Sequence, residues 1–204
     1  MTTKTLNISE EQLVDYSKAH NEPSWMTELR KKALKLTETL EMPKPDKTKL
    51  RKWDFDTFKQ HHTTGDAYTQ LTDLPKSVKE IIDVENSENL IIQHNNELAY
   101  TQVSDQAKHD GVIIEGLSEA LVNHSDLVQK YFMTKAVDVD EHRLTALHTA
   151  LVNGGIFVYV PKNTVVEHPI QYVVLHDDEQ ASFYNHVIIV TEESAEVTYV
   201  ENYL

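Results

Sequence analysis

The first forty residues have the hydrophobic spacing of two helices. Ser9 and Gln12 form the pattern of a capping box, which predicts a helix over about residues 9–20. Pro23 suits the first turn of a second helix. The apolar positions of that helix recur every three or four residues: Trp25, Leu29, Ala33, Leu36 and Leu40. We expect this stripe to be covered by another part of the chain.

Charged residues occupy the opposite face of the second helix. Arg30, Lys31, Lys32 and Lys35 form the main basic patch of the sequence. Charge runs on a helix usually face water. We therefore interpret the patch as a solvated face rather than an anion-binding site.

The chain then becomes irregular. Pro43 and Pro45 prevent the helix from continuing, and three aromatic residues follow at close spacing: Trp53, Phe55 and Phe58. They are either a ligand platform or a segment that pins a loop to the core. We favour the second interpretation, because no basic residues alternate with the aromatic ones. Residues 61–88 are polar and indicate connecting structure, with one short helix after Pro75.

Near residue 90 the hydrophobic pattern changes to that of strands. Two apolar runs flank Asn95 and Asn96, which predicts a hairpin with strands at about 90–94 and 98–103. The sequence GVIIEGL predicts a third strand.

Two more helices are predicted before the strands resume, over about residues 118–132 and 140–152. Asp140 suits the N-cap of the second, and Gly154 suits the position just past its end.

After Gly155 the pattern is purely that of strands. Four runs are rich in Val, Ile and Tyr: IFVYV, VVEHPIQYVVL, SFYNHVIIV and AEVTYVENY. The region also matches itself weakly when it is shifted along the chain. One constant offset places Val158, Tyr159, Val160 and Thr164 on Ile188, Ile189, Val190 and Ser194, and Ile170 on Val200. A repeat of this length made of strands and turns predicts the coils of a β-solenoid.

These patterns divide the chain into three parts. We predict a helical region with its connector at 1–88, a mixed segment at 89–153 and the start of a β-solenoid domain at 154–204. The chain stops in or just after a strand, so we expect residue 204 not to be the natural end of the protein.

Composition narrows the classes of function. The net charge of −14 disfavours nucleic-acid binding. The absence of cysteine excludes disulfides, a thiolate nucleophile, Cys-ligated zinc and a cluster held by this chain's own sulfurs. The five glycines form neither a P-loop nor a dinucleotide fingerprint, and no GxSxG motif is present. No long apolar run or signal-like start is present, which predicts a cytoplasmic protein.

Three motifs resemble the SufB/SufD family of the SUF iron–sulfur cluster assembly machinery. The first is Glu22-Pro23-Ser24-Trp25 with Arg30, Ala33 and the stretch from Met42 to Pro45. The second runs from Asn153-Gly154-Gly155 to Lys162, with Glu167, Pro169, Ile170 and Gln171. The third is Val187 to Val190 with Glu192, Glu193, Ala195, Tyr199, Val200 and Glu201. Within the family, the stretch from Lys47 to Phe55 resembles SufD more than SufB.

This resemblance implies an α+β protein, in which a helical N-terminal region precedes the first coils of a right-handed parallel β-helix. It also implies a non-catalytic scaffold subunit that acts with SufB and with the ATPase SufC. In the family, the SufC-docking helices, the SufB-pairing edge and the cluster-building residues lie in the C-terminal half, beyond this sequence. The resemblance therefore implies no catalytic or cofactor-binding residue here, a cluster assembled by the whole complex, and ATP that enters through SufC. Asn163 and Ser194 occupy turn positions where the family usually has glycine.

Eleven histidines raise the question of a metal site. His142 and His148 do not share a helix face, and we interpret His61 and His62 beside Asp66 as a solvated loop. Three histidines fall in the β region, near Asp177 and Asp178: His168, His176 and His186. His168 and His186 are the weak metal candidates, because stacked coils would bring two of these side chains together.

Acidic clusters give no stronger site. Asp138, Asp140 and Glu141 lack the glycine and the glutamate that a calcium loop requires. Glu192 and Glu193 are adjacent, so they point to opposite faces of a strand.

Three alternatives to a SufD-like scaffold are a SufB-like paralogue, a β-helix enzyme acting on acidic polysaccharide, and a left-handed solenoid acyltransferase. The charge and the missing secretion signal disfavour the polysaccharide enzyme. The missing hexapeptide repeat disfavours the acyltransferase. The open last coil makes self-association of the chain plausible.

Overall fold

The structure is a computed structural model that describes residues 6–55, 59 and 65–204. The α-helices of the described part are α1 (Glu10–Ala19), α2 (Ser24–Thr39), α3 (Lys76–Lys79), α4 (Asp105–His109), α5 (Leu117–Asn123), α6 (Ser125–Tyr131) and α7 (Arg143–Leu151). Its strands are β1 (Asn89–His94), β2 (Glu97–Gln102), β3 (Ile113–Gly116), β4 (Gly154–Val160), β5 (Ile170–Leu175), β6 (Asn185–Thr191) and β7 (Tyr199–Tyr203). The protein is a mixed α+β structure, as predicted. Phe58, His61 and His62 lie outside the described residues.

The chain forms two compact units, each made of two stretches of sequence. The first combines the described residues of Met1–His61 with Leu121–Val152, and the second combines those of His62–Ala120 with Asn153–Leu204. The predicted division of the chain into residues 1–88, 89–153 and 154–204 stays a prediction.

Helix α1 of the first unit begins as its sequence predicts. Ser9 is the N-cap; its Oγ accepts a hydrogen bond from Gln12 N at 3.2 Å, and Ser9 N donates to Gln12 Oε1 at 2.8 Å. This reciprocal pair satisfies two backbone N–H groups that the start of a helix otherwise leaves without partners.

Helix α2 buries a different face from the one predicted. Its buried residues are Met26, Arg30, Ala33 and Thr37, whereas four members of the predicted stripe, Trp25, Leu29, Leu36 and Leu40, are at least partly exposed. The buried face packs against α7 and contains an arginine. A hydrophobicity pattern places arginine outside, so the predicted stripe was rotated away from the true contact.

Other helix boundaries also differ from the predictions. The helix predicted at 118–132 is broken at His124, which has φ −130° and separates α5 from α6. The N-cap of α7 is His142 and not Asp140: its Nδ1 accepts from Thr145 N at 3.1 Å. Gly154 belongs to β4, because α7 already ends at Val152.

Trp53, the first aromatic residue after α2, does not pin a loop to a core. Trp53 is 63% exposed and stacks on Phe55, with ring centroids 6.0 Å apart. The interpretation of Trp53 as an anchor was therefore wrong.

The second unit contains two sheets with parallel strands at their centres. One sheet has the order β2-β1-β5-β7 and the other has the order β3-β4-β6. Strands β1, β5 and β7 are parallel to one another, and β4 is parallel to β6. Strands β2 and β3 are antiparallel to their neighbours and form the opposite edges, so β6 and β7 are the edges that offer parallel pairing.

The internal repeat is present with two registers. Val158 pairs with Ile189, one position beyond the residue that the predicted offset assigns to it. Ile170 pairs with Tyr199, one position before its predicted partner Val200. The sequence separation between paired residues is therefore one residue longer than predicted for β4 with β6, and one residue shorter than predicted for β5 with β7. We call these pairings the longer and the shorter register.

The turns between the strands follow the longer register. Asn163 and Ser194 are equivalent in it, and their φ values are 60° and 59°. Ser194 thus adopts the left-handed conformation that glycine usually supplies, and it corresponds to Asn163 rather than to the predicted Thr164.

The core of the second unit fills the space between its strands. Its buried members are Ile91, Ala107, Val112, Ile114, Ile156, Val158, Val160, Val166, Ile170, Tyr172 and Val174. A smaller cluster covers the other face of β1 and β5: Leu74, Val78, Ile82, Leu90, Ile92, Ala99 and Val173. Because β5 is buried on both faces, its sequence is largely apolar rather than alternating. In β1, which is also buried, the polar residues Asn89, Gln93 and His94 flank an apolar centre.

Candidate functional site

The first sequence motif forms a buried ion pair. Arg30 is 1% exposed and donates twice to the Glu22 carboxylate, from Nε to Oε2 at 2.8 Å and from Nη2 to Oε1 at 2.6 Å. Ser17 Oγ donates to Glu22 Oε2 at 2.7 Å. The guanidinium also lies 5.0 Å from the centre of the Tyr16 ring. Such a bidentate, fully hydrogen-bonded pair offsets the cost of burying both charges.

The same arginine holds the carboxyl end of α7. Its Nη1 donates to Ala150 O at 2.9 Å, and its Nη2 donates to Val152 O at 2.8 Å. The last carbonyls of a helix lack intrahelical partners and carry partial negative charge. Arg30 therefore satisfies them with a positive charge, and its assignment to a solvated basic face was wrong.

The pKa of Glu22 reflects these contacts. Burial alone would raise the pKa of this carboxyl, but the charge of Arg30 and the hydrogen bonds from Arg30 and Ser17 lower it below its ordinary value. Glu22 is therefore ionised at neutral pH.

Trp25 and Arg143 make further connections in this unit. Trp25 Nε1 donates to Ser125 Oγ at 2.9 Å, and the Trp25 ring lies 6.4 Å from that of Phe132. Arg143 Nε donates to Thr37 O at 2.8 Å, near the end of α2. The motif thus has a structural role. Arg143 links α7 to the end of α2, a contact that sequence reasoning missed.

The lysines of α2 do face solvent, as predicted. They line an open depression of about 420 Å³ with Glu28, Leu36 and Thr39. Lys31 Nζ lies 2.9 Å from Glu28 Oε1, and Lys35 Nζ lies 3.3 Å from Glu10 Oε2. Because acids of the same unit pair with these two lysines, the depression is a poor anion site.

His148 lies on α7 close to the ion pair. Burial and the nearby charge of Arg30 lower its pKa to about 4. The side chain is therefore neutral at pH 7, and it shares no metal site with His142, which caps the same helix.

We predict that His148 makes stability depend on pH between about 4 and 6.5. In this range the unfolded chain binds a proton and the folded protein does not, so the unfolding free energy rises with pH. The contribution amounts to about 3 kcal/mol across the window. Urea unfolding of the protein and of a His148→Leu variant at pH 4.5, 5.5 and 6.5 measures it. Equal slopes for both proteins would contradict the assignment.

The second motif allows a close approach of two strands. Gly155 has φ 129°, and a Cβ at this position would collide with the backbone of His186 on the neighbouring strand β6. A Cβ at Gly154 would collide with the Gln93 side chain. Asn153 closes the same end, because its Nδ2 donates to Ser182 O at 2.8 Å and its Oδ1 accepts from Tyr184 N at 2.8 Å.

A row of polar side chains crosses the interior of the second unit. Tyr172 is buried, and its hydroxyl lies 2.7 Å from Gln93 Oε1 and 2.9 Å from Asn185 Oδ1. Gln93 Oε1 also accepts from Gly155 N at 3.0 Å. Asn185 Nδ2 donates to Tyr203 Oη at 2.8 Å, and Tyr203 Oη donates to Glu201. The row therefore connects β1, β5, β6 and β7.

The tyrosines of this row and the neighbouring Tyr199 have raised pKa values. Loss of solvent raises the pKa of Tyr172, Tyr199 and Tyr203, and the Glu201 carboxylate raises each further. The phenols of Tyr172 and Tyr203 act as hydrogen-bond donors in the row. Sequence reasoning missed this row; the signal was the alternation of Tyr199, Glu201 and Tyr203 on one face of β7.

The two metal candidates from the sequence, His168 and His186, are associated with strands of different sheets. His168 precedes β5, and its Nδ1 lies 3.4 Å from Glu88 Oε2. His186 lies on β6, opposite Gly155 on β4. Their pairing in a metal site stays a prediction. In the described part of the chain, no three His, Asp or Glu side chains are grouped so that they would hold a metal ion.

Two other histidines have defined contacts. His94 Nε2 lies 2.9 Å from Asp177 Oδ1, and its Nδ1 accepts from Asp66 N at 2.8 Å. The hydrogen bond from His94 lowers the pKa of the Asp177 carboxyl. The His176 ring stacks on Phe183 at 5.4 Å.

The predicted turn carboxylates pair with the preceding repeat. Lys162 Nζ donates to Glu193 Oε2 at 2.5 Å, and Tyr159 Oη donates to Glu192 Oε1 at 3.4 Å. These contacts join successive turns.

The edge strands β6 and β7 of the two sheets expose apolar side chains, and the sequence around them is acidic. The exposed large hydrophobic residues there are Ile189, Val200, Tyr203 and Leu204. No Lys or Arg occurs after Lys162, whereas eight Asp and Glu do. These edge strands are the candidate surface for further pairing.

Comparison with known proteins identifies the chain. A model of the SufBD protein N-terminal region matches residues 9–172, which include the buried ion pair and the two glycines of β4. The chain belongs to the SufB/SufD family. It is 47% identical over 200 residues to the iron–sulfur cluster assembly protein SufD of Bacillus subtilis, covering 98% of this chain and 46% of that protein.

More distant members of the SufB/SufD family match over the same region. A SufBD family protein of Staphylococcus epidermidis is 28% identical over 204 residues, and one of Pyrococcus horikoshii is 29% identical over 205 residues. The matches cover 95% and 96% of this chain, and 43% and 45% of those proteins. The chain thus spans about half the length of the curated relatives it matches.

Proposed function

We propose that this chain is the N-terminal part of a SufD-like scaffold subunit of iron–sulfur cluster assembly, and that it performs no catalysis itself. The observation that carries the proposal is the pair of parallel strand registers, Val158 with Ile189 and Ile170 with Tyr199, in a chain 47% identical to a SufD protein. Both pairings join residues of the second family motif to residues of the third. The pairing of β4 with β6 includes Gly154 and Gly155, and the pairing of β5 with β7 includes Ile170 and Gln171.

The arrangement of edges supports a β-helix as the architecture. Strands β2 and β3 pair antiparallel and close one end of the stack, while β6 and β7 offer parallel edges at the other. The parallel bridge between Val165 and Glu196 adds a third contact between the two repeats. We propose that these repeats are the first two coils of a right-handed β-helix, which more chain extends.

A scaffold role agrees with the chemistry of the described residues. Buried polar groups such as Glu22, Arg30 and Tyr172 are used in hydrogen bonds that hold the fold. We propose that the iron–sulfur cluster is assembled by the whole complex and that the partner ATPase SufC is the subunit that uses ATP. In this account SufB is the pairing partner, and the complex works in the cytoplasm. No helix in the described part of the chain is both long and apolar enough to cross a bilayer.

Co-purification tests the proposal. We expect a tagged full-length protein, co-expressed with SufB and SufC, to retain both partners through washing at about 0.3 M salt, a condition chosen because it screens exposed charge pairs to a Debye length of about 6 Å. We expect residues 1–204 alone to lose SufC, since the docking helices implied by the family lie beyond them. Strong SufC binding by residues 1–204 would overturn the placement of the docking site, and loss of both partners from the full-length protein would overturn the scaffold proposal.

A further inference from the structure

An exposed segment follows α2 in the first unit. Residues 44–49 are exposed, and a short 3₁₀ turn at Leu50–Lys52 leads to Trp53, whose N donates to Leu50 O at 2.9 Å. The Trp53 and Phe55 rings are nearly parallel, with an angle of 16° between their planes. The stack fixes the indole in one orientation while most of it stays in contact with water.

The segment is basic in an acidic chain. Residues 44–55 include five Lys or Arg and two Asp, a local charge of +3, whereas the whole chain has −14. Lys47, Lys49 and Lys52 are exposed, and the structure records no ion pair between them and any side chain that it describes. They differ in this respect from Lys31 and Lys35 of α2, which pair with Glu28 and Glu10.

The exposed Trp53 ring offers a partner a large apolar surface. Burial of such a surface on association is favourable. Tryptophan is also among the residue types enriched at the centres of protein interfaces. Because the Phe55 stack already restricts Trp53, less side-chain entropy is lost when a partner covers it.

We propose that residues 44–55 are a docking segment for an acidic stretch of a partner protein that carries an apolar side chain. Acids of the partner would pair with Lys47, Lys49 and Lys52, and its apolar side chain would cover Trp53. This inference uses none of the residues of β6 and β7, so it does not depend on the scaffold proposal.

Two features favour a protein over a bilayer or a nucleic acid. Asp46 and Asp54 lie inside the segment, and the rest of the chain carries a charge of −17. A bilayer or a nucleic acid presents negative charge over a wide area and would repel both. A protein surface is able to set a cation opposite each aspartate while its acids meet the lysines.

Fluorescence anisotropy of labelled peptides tests the proposal. The probes are two short Glu- and Asp-rich peptides of equal length, one with a central Leu-Phe pair and one with Ser-Gly in its place. The protein is titrated as the unchanged chain, as Trp53→Ala, as the triple variant Lys47→Glu, Lys49→Glu and Lys52→Glu, and as a control triple variant Lys76→Glu, Lys108→Glu and Lys135→Glu. The control removes the same charge from exposed lysines outside the segment.

We expect the unchanged chain to bind the Leu-Phe peptide and the segment triple variant to bind it at least about tenfold more weakly. The control triple variant should change the affinity less than about threefold, because salt screens charges that do not contact the peptide. Trp53→Ala is expected to weaken the Leu-Phe peptide by about fivefold or more and the Ser-Gly peptide by less than about twofold. The proposal is overturned if neither peptide binds, or if both triple variants lose affinity equally. Tighter binding to phosphatidylglycerol vesicles or to a single-stranded oligonucleotide than to the Leu-Phe peptide would also overturn it.

Discussion

Replacement of Arg30 by methionine is expected to lower the free energy of unfolding by about 3 to 5 kcal/mol, because it leaves a buried carboxylate without its partner. Arg30 satisfies Glu22 with two hydrogen bonds and the end of α7 with two more. Methionine fills the space but donates to none of these oxygens. The measurement is urea unfolding at pH 7, followed by far-ultraviolet circular dichroism.

Two variants separate the charge effect from simple loss of packing. Glu22→Gln combined with Arg30→Met removes the buried charge, so the double variant should be more stable than Arg30→Met alone. Lys35→Met makes the same change on the exposed face of α2, where we expect an effect within about 0.5 kcal/mol. If Arg30→Met costs no more than Lys35→Met, the role assigned to the ion pair is wrong.

Replacement of Gly155 by alanine is expected to cost more than about 3 kcal/mol, because it combines a left-handed backbone with a collision. The φ of 129° suits glycine, and the added Cβ would meet the backbone of His186. The collision is relieved only if β4 and β6 separate, and this separation would disturb the pairing along the full length of both strands. Thermal and urea unfolding measure the loss.

Two other glycines provide matched controls. Gly111 also has positive φ, 74°, but a Cβ there would have Pro161 Cγ at 3.7 Å as its nearest neighbour. Gly111→Ala should therefore cost only the backbone term, about 1 to 2 kcal/mol. Gly116→Ala meets Leu98 at an ordinary distance of 3.5 Å and should be close to neutral. A Gly155→Ala variant as stable as Gly111→Ala would contradict the close approach of β4 and β6.

The sequence was sufficient to predict elements with strong local signals. The Ser9 capping box, the Asn95 turn and the strand runs after Gly155 all lie where they were predicted, because caps, turns and alternation depend on neighbouring residues. The family resemblance was confirmed as well.

The errors occurred where tertiary contacts override local preference. Arg30 is buried because Glu22 and the end of α7 satisfy it, and no periodicity predicts such partners. The break at His124 and the cap at His142 likewise involve residues with weak local signals. The exposed Trp53 shows the opposite error, since a large apolar residue was assigned to a core that it does not enter.

The polar row inside the second unit was missed for a related reason. Gln93 follows the apolar residues 90–92 and precedes His94 and two asparagines, so the pattern gives no sign that its side chain is buried. In the structure it accepts from Tyr172 and Gly155, so the interior requires its oxygen. Buried polar groups of this kind specify one strand register over its neighbours.

An engineered disulfide tests most directly whether residues 154–204 form two stacked parallel coils, as we propose. The chain has no cysteine, so Val165→Cys with Glu196→Cys introduces a single possible disulfide. These residues form a parallel bridge, and Val166 N donates to Glu196 O at 2.9 Å. We expect rapid oxidation in the folded protein and a gain of about 3 to 4 kcal/mol in unfolding free energy. The control pair Val165→Cys with Thr198→Cys is displaced by two positions along the partner segment and should oxidise slowly. Rapid oxidation of the control pair, or none of the first pair, would contradict the stacked coils.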